Sequence, residues 1–376
     1  ATTEIYTLSL HDALPISEMD FSGGTTAVID ASSNEDVDAI EVNIAAGTFM
    51  SAVENNQTLS VTSNQVGFEI KPGAIDIPED AETVTLEAKQ LSLDDLPEEL
   101  KNKPDEAVGA SLVYDFDLSI DGVPVTEFNE PITITIKLDL STVSNLDKVG
   151  VYYYSEHENK WIFVGGKVNE DGTITFTINH FSRFIAMEYN KTFSDVSGHW
   201  AKEDIEVMAA RHVTGGTGDN KFSPDANITR AEFTALIVRA LNIQDKVQKN
   251  PFGDVKEGDW FAETALKANA AGLVKGDDRG YFAPASLITR EEMAVIAMRA
   301  YSYYTGKDAD EIIISQEIRF KDMDKVSSWA KSAVTYADAL GIMKGFADQT
   351  CRPKNFSSRA EAIVVIKRLM KLLEIF

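Results

Sequence analysis

The chain has a single cysteine, Cys351, so it cannot form an intrachain disulfide, and one copy cannot assemble a cysteine-rich zinc site. Histidine is nearly as scarce. The five present include no His-x-x-x-His pair, which removes the usual transition-metal constellations. Positive charge is short too: 35 Lys and Arg face 60 Asp and Glu, a net charge of −25 that repels a phosphate backbone or an anionic lipid surface and argues against nucleic-acid and membrane partners. No stretch of the sequence reaches the roughly 18 consecutive apolar residues of a membrane-spanning helix. A Gly-rich phosphate loop, a Gly-x-Ser-x-Gly elbow and an obvious acid–base pair are also missing, so the sequence nominates no catalytic residue, no metal ligand and no cofactor. What is there is a chain of 376 residues, 44% hydrophobic, long enough for two or three domains.

Residues 1–17 are set apart from the fold. Tyr6-Thr7-Leu8-Ser9-Leu10-His11-Asp12-Ala13-Leu14-Pro15-Ile16 looks like one reading frame of a common sequencing-adapter oligonucleotide and is treated as an artefact, which makes the chain the C-terminal part of something longer. Residues 18–190 read as an all-β sandwich. Ile132, Ile134 and Ile136 alternate with polar residues, as do Ile174, Phe176 and Ile178, the period of a half-buried strand. Further strands are expected at 39–44, 59–62, 66–70, 83–88, 112–120 and 149–154, punctuated by turns at Pro72-Gly73, Asp121-Gly122, Gly165-Gly166 and Asp171-Gly172. Leu93 to Leu100 alone looks helical, and many short antiparallel strands point to a sandwich.

One string in this region carries a chemical suggestion. His180-Phe181-Ser182 is similar to the His-Phe-Ser cleavage site of some autoproteolytic β-sandwich domains, where the serine hydroxyl attacks the preceding carbonyl. Cleavage between Phe181 and Ser182 needs a strained peptide and a base near Ser182; the alternative is a last strand with Phe181 or Phe184 packed inward. The sandwich as an adhesin or glycan-binding module is a further alternative. Leu96-Pro97-Glu98-Glu99-Leu100 lacks the Thr-Gly ending of a covalent sorting motif.

After Asn190 the sequence repeats itself three times. The units open with Phe193-Ser194-Asp195-Val196, Phe252-Gly253-Asp254-Val255 and Phe320-Lys321-Asp322-Met323, and Trp200, Trp260 and Trp329 follow. Thirty residues beyond each tryptophan stand Arg230, Arg290 and Arg359. Between these anchors the units agree in Gly216, Gly276 and Gly345, then in Pro224, Pro284 and Pro353. A first helix begins near each tryptophan, with Ala201, Ile205 and Met208 on one face and their counterparts in the other units. A second helix repeats the pattern with Phe233, Leu236, Ile237 and Ala240. Such a helix-loop-helix unit buries little surface by itself, so the three must share a core.

Thr229-Arg230-Ala231-Glu232, Thr289-Arg290-Glu291-Glu292 and Ser358-Arg359-Ala360-Glu361 each match a capping box, which accounts for the Thr or Ser and the Glu. The arginine is unexplained by capping. At the first helical position a cation opposes the positive end of the helix dipole, at a cost of a few tenths of a kcal/mol. Its recurrence suggests a guanidinium that works with free helix amides on an anion such as a carboxylate, or one that pairs with Asp195, Asp254 or Asp322 of a neighbouring unit. The loop Gly216-Thr217-Gly218-Asp219-Asn220 lacks the ligand ladder of a calcium loop.

These units resemble surface-layer homology (SLH) repeats over about residues 192–374, through the Phe-x-Asp-Val opening, the tryptophan, the loop glycine and proline, and Thr-Arg-Ala-Glu. The resemblance implies an all-α pseudo-threefold trimer of helix-loop-helix repeats, at 192–249, 250–317 and 318–376, whose first helices form a central bundle. It also implies inter-repeat grooves that bind a pyruvylated secondary cell-wall polysaccharide attached to peptidoglycan. Carried over residue by residue, it assigns Arg230, Arg290 and Arg359 to the acidic group and Trp200, Trp260 and Trp329 to the sugar face, unless they pack under the loops. Asp195, Asp254, Gly216, Gly276 and Gly345 complete the grooves. Cys351 stands where the other units have Phe222 and Phe282, which makes the third groove the weakest and Arg359 the least secure ligand; His212 in place of Gly272 and Gly341 marks an altered helix end. The expectation is a non-enzymatic, extracellular cell-wall or S-layer protein of a bacterium, held without a covalent link and compatible with self-association in a surface layer.

Overall fold

Alternating apolar and polar side chains let an extended chain bury one face, and the segments with that pattern are strands. The computed structural model describes residues 5–9, 26–30, 39–92, 96–98, 100–247, 249–307 and 320–376, and the chain divides into two units, Ala1–Asn190 and Lys191–Phe376. In the first unit the strands are β1 (Ile5–Ser9), β2 (Thr26–Asp30), β3 (Ala39–Ala45), β4 (Thr58–Thr62), β5 (Val66–Ile70), β6 (Thr83–Leu91), β7 (Ala107–Gly109) and β8 (Val113–Ile120). They continue with β9 (Val123–Pro124), β10 (Ile132–Lys137), β11 (Val149–Ser155), β12 (Lys160–Gly165), β13 (Lys167–Val168), β14 (Thr173–Ile178) and β15 (Arg183–Tyr189).

One sheet runs β1-β3-β6-β8-β15-β11-β12, with β7 beside β15 and β9 beside β8; the other runs β13-β14-β10-β5-β4-β2. Val42, Leu86, Phe116 and Phe184 from the first sheet and Val61, Phe68, Ile134 and Phe176 from the second share one apolar core, which makes the unit a β-sandwich. Each such side chain contributes about 1.5–3 kcal/mol by leaving water.

Three features differ from the sequence expectation. The pairs β1–β3 and β2–β4 are parallel, because the chain crosses to the opposite sheet between the paired strands. The α-helix of this unit, among the described residues, is α1 (Ala46–Glu54), placed directly after β3, with Ala46, Phe49 and Ala52 buried. Residues 93–95 and 99 lie outside the described residues, while Leu100 and Lys101 close tight turns on Pro97 and Glu98. Leu96 and Leu100 are buried in a small second core that includes Trp161, whose indole N–H donates to the Leu100 carbonyl at 3.0 Å.

The second unit holds α2 (Lys202–Ala210), α3 (Arg230–Ala240), α4 (Ala262–Ala270), α5 (Arg290–Thr305), α6 (Lys331–Ala339) and α7 (Arg359–Leu372). Both expected faces turn into one shared core: Ala201, Ile205 and Met208 of the first helix and Phe233, Leu236, Ile237 and Ala240 of the second are buried, as are their counterparts except the partly buried Phe261. All three capping boxes are formed, at Thr229, Thr289 and Ser358. His212 sits in the left-handed region at φ 54°, as do Gly272 and Gly341 at the other two first-helix ends.

Helix pairing passes from one repeat to the next. α3 packs on α4, α5 on α6, and α7 returns to α2, while α3, α5 and α7 pack on one another. The mutual bundle is therefore made by the second helices, not the first. Their stripes are wider, with eight of eleven residues of α3 buried, so they take the interior. Just ahead of them three backbone amides form a ring: Ile228 donates to Ser357, Ser357 to Ile288, and Ile288 to Ile228, at 3.0, 2.9 and 3.1 Å.

Candidate functional site

Apolar residues of the repeats are packed inward with one recurrent exception. Trp200, Trp260 and Trp329 are 64%, 63% and 59% exposed, each just ahead of a first helix. Packing under a loop is thus not their role. A solvated indole presented three times at the same position is a flat apolar face with a polar edge, the shape that stacks on a ring-shaped ligand.

The arginines at the second-helix starts behave differently from one another. Each reaches into the loop of the following repeat, and Arg359 reaches the first. Arg359 Nε donates to the Phe222 carbonyl and one terminal nitrogen pairs with Glu232 at 2.9 Å; Arg290 repeats this with the Cys351 carbonyl and Glu361 at 2.7 Å, and adds the Lys344 carbonyl. Both are buried. Arg230 is half-exposed and, among the described residues, its guanidinium makes one hydrogen bond, to the Lys275 carbonyl at 2.9 Å, and no ion pair. Each guanidinium lies over a ring: Arg230 over Phe282, Arg359 over Phe222, and Arg290 over Phe346, which replaces the ring that Cys351 lacks.

Two sequence expectations about these arginines are overturned. The ion-pair partners of Arg290 and Arg359 are capping-box glutamates of the neighbouring repeat, not the opening aspartates, and Arg230 has none among the described residues. Asp195, Asp254 and Asp322 instead accept two amides each from their own loops, Phe222 and Ser223, Phe282 and Ala283, and Cys351 and Arg352, at 2.7–2.9 Å. Nor are the helix amides free. The first two amides of α3 donate to Ser286 and Pro284, those of α5 to Asn355 and Pro353, and those of α7 to Ala226 and Pro224. Carbonyls of the next repeat thus fill the positive helix end, leaving the side chain as the only donor for a ligand there.

The loop glycines hold the loops against the repeat openings. A Cβ on Gly216 would lie 2.6 Å from the Phe193 ring, and one on Gly345 2.3 Å from the Phe320 ring. Gly276 has more room, 3.3 Å to the Gly280 backbone. Cys351 is buried, and burial followed by its contact with Asp322 pushes the thiol up to about 12, so it is inert as a nucleophile.

A second arginine series was missed in the sequence. Arg239, Arg299 and Arg368 stand nine residues beyond the first series. Arg239 donates to the Val213 carbonyl and Arg299 to the equivalent Leu273 carbonyl. The repeat register contained the signal. Arg299, with Met298, Ser302, Tyr303 and Gly272, lines a groove of about 440 Å3 closed at one side by Trp329. The arginine in the lining of this tryptophan's groove is therefore Arg299, and not one of the helix-start arginines.

In the sandwich, Ser182 Oγ donates to the Tyr154 carbonyl at 3.2 Å and Phe181 packs against Phe68, Phe116 and Phe128. Neither Phe181 nor Ser182 has a positive φ. The inward-packed alternative describes this segment, and the hydroxyl is engaged with a carbonyl rather than a base.

The sequence model of the S-layer homology domain matches residues 192–234, 251–294 and 319–363. An amylopullulanase of Thermoanaerobacterium thermosulfurigenes is 42% identical over 272 residues, which is 72% of this chain and 14% of the relative. The exoglucanase XynX of Acetivibrio thermocellus is 41% identical over 180 residues, 48% of this chain and 16% of the relative, and the S-layer protein sap of Bacillus anthracis is 31% identical over 183 residues, 48% and 21% respectively. The chain thus spans between 14% and 21% of these relatives' own length. The S-layer homology repeats and the S-layer proteins among the relatives indicate a location at the bacterial cell surface or cell wall. With its opening motifs, capping boxes and loops in register three times, the C-terminal unit of this chain belongs to the S-layer homology family, as three consecutive repeats behind a β-sandwich.

Proposed function

We propose that the three repeats close as a pseudo-threefold unit and hold the protein on the wall, without a covalent bond, by binding pyruvylated secondary cell-wall polysaccharide. The observation that carries this reading is the threefold exposure of Trp200, Trp260 and Trp329 in a unit whose other repeated apolar side chains are buried or partly buried. A polymer-linked pyranose offers an apolar face for an indole, and its ketal carboxylate suits a guanidinium. Arg230 is the helix-start arginine with donors to spare, so the acidic group is assigned there first; Arg290 and Arg359 act chiefly as struts and contact ligand only at the cost of their ion pairs. Asp195, Asp254, Gly216, Gly276 and Gly345 shape the groove walls.

The role assigned to this chain is anchoring rather than catalysis. The regions matched in the glycosidase relatives include the repeats, which supports this assignment. Co-sedimentation of the chain with Gram-positive wall sacculi, before and after chemical removal of the non-peptidoglycan polymer, tests it: binding is expected before removal and lost afterwards. Binding that survives removal defeats the polysaccharide assignment.

A further inference from the structure

The three grooves between repeats are built from equivalent positions but filled differently. Where the third repeat meets the first, the positions of Met298 and Ala333 are held by Lys367 and Asp204, an ion pair at 2.8 Å with the lysine buried. Long side chains of opposite charge thus occupy that groove. Where the first meets the second, α3 stops at Ala240, and the position of Tyr303 belongs to a buried Ile243. Among the described residues no counterpart of the Tyr303 ring stands across from Trp260.

Between the second and third repeats both obstacles are gone. α5 runs on to Thr305, which carries Tyr303 to the rim of the groove, and Tyr303 Oη donates to Asp245, fixing the ring. Met298 and Ala333 replace the ion pair with apolar atoms, and Ala271, Gly272 and Ser332 keep the floor low. Trp329 stands opposite at 59% exposure. Among the described residues Arg299 is the one cation in the lining, and they put no carboxylate into it although the chain carries 60. Among the described residues its guanidinium makes one hydrogen bond, to the Leu273 carbonyl, two residues from the carbonyl that Arg230 uses.

We propose that this groove is a subsite for a pyranose ring bearing an acidic substituent, with Trp329 and Tyr303 as its aromatic walls and Arg299 as the group that pairs with the acid. The proposal rests on the wall-polymer reading and adds to it that the three grooves are unequal, with the second-to-third groove taking an acidic ring in addition to the acid assigned to Arg230. An indole face and a guanidinium across a groove of this size match one sugar ring and one carboxylate.

The test is co-sedimentation of the full chain and four single variants with sacculi that retain the polymer. Trp329→Ala and Arg299→Gln are expected to weaken binding at least tenfold, and Trp200→Ala and Trp260→Ala to weaken it by only about threefold. Trp329 is exposed, so its variant folds; helical circular dichroism checks Arg299→Gln, and Arg299→Lys, which keeps the charge, is expected to recover part of the loss. Mild acid hydrolysis of the ketals should erase the difference between Arg299→Gln and the unaltered chain. If the unaltered chain sediments and all four variants sediment equally, the subsite is wrong and the wall-polymer reading stands. If the unaltered chain does not sediment, both fall.

Discussion

Arg359 forms an ion pair with Glu232, 127 residues earlier in the chain, at 2.9 Å, and so ties the last repeat to the first. The same glutamate caps its own helix through its other oxygen. Burial pulls the pKa of Arg359 down, the opposing charge of Glu232 pulls it up, and a guanidinium stays protonated throughout.

Removing this arginine strands a part-buried carboxylate. Arg359→Ala is expected to cost about 2 kcal/mol of helical-unit stability. Arg230→Ala, with no ion pair to break, should cost less than about 1 kcal/mol while weakening wall binding more. Urea unfolding followed at 222 nm, set beside sedimentation, separates the two effects; equal stability losses would contradict the structure.

Ser357 occupies the ring position that Ile228 and Ile288 hold in the other repeats, is fully buried, and its hydroxyl has no partner among the described residues. A buried hydroxyl without a hydrogen bond costs stability that an apolar atom does not. Ser357→Ala is expected to raise stability by about 1 kcal/mol. A loss in the same urea experiment would show that the hydroxyl is satisfied after all.

Gly345 and Gly276 are equivalent by sequence and unequal by space. A Cβ at Gly345 meets the Phe320 ring at 2.3 Å and the Thr350 carbonyl at 2.8 Å, whereas at Gly276 the nearest atoms are 3.3 Å away. Gly345→Ala should cost about 2 kcal/mol by forcing that ring to move, and Gly276→Ala under about 1 kcal/mol. Thermal unfolding of the two variants ranks them.

The two units should answer acid in opposite senses. Burial alone raises the Asp322 carboxyl, but the amides of Cys351 and Arg352 hold it below the usual carboxylate range, and the amides of Phe222 and Ser223 do the same for Asp195. Their folded values are depressed, so this stabilisation is complete above about pH 4 and is lost as pH falls through the folded values. Asp117 is shifted upward, by burial first and then by Asp115 and Glu87, in a cross-strand row with Glu41 and Glu87. Its repulsion is felt at neutral pH and relieved on acidification. Asp117→Asn should therefore stabilise the sandwich at pH 7 but not at pH 4, and Asp322→Asn should weaken the helices at pH 7 but hardly at pH 3. Trp161 emission, in a chain with the other three tryptophans changed to phenylalanine, reports the sandwich; ellipticity at 222 nm reports the helices.

Periodicity carried much of this fold because burial on one face leaves a visible mark: Val66–Ile70 and Thr173–Ile178 are strands at the residues where the alternation lies. Pairing direction leaves none, which is why the parallel β1–β3 and β2–β4 contacts were not legible. α1 spans only nine residues, too short for a helical stripe to stand out behind a strand. In the repeats, register made the tryptophans and arginines visible. It could not show that Glu232 serves a helix cap with one oxygen and Arg359 with the other, since the second partner comes from the far end of the unit. Arg299 was readable by the same register, but its company with Trp329 depends on how helices of two repeats pack.

The ring of amides through Ile228, Ile288 and Ser357 fixes the copy number. A solenoid grows or shrinks by one module with little penalty at its ends, whereas here every donor finds its acceptor only when the third module docks back onto the first. Deleting one repeat strands an N–H on one neighbour and a carbonyl on the other, and inserting a fourth offers it no vacancy. Evolution of such an anchor is confined to substitutions inside three modules, or to duplication of the whole triplet.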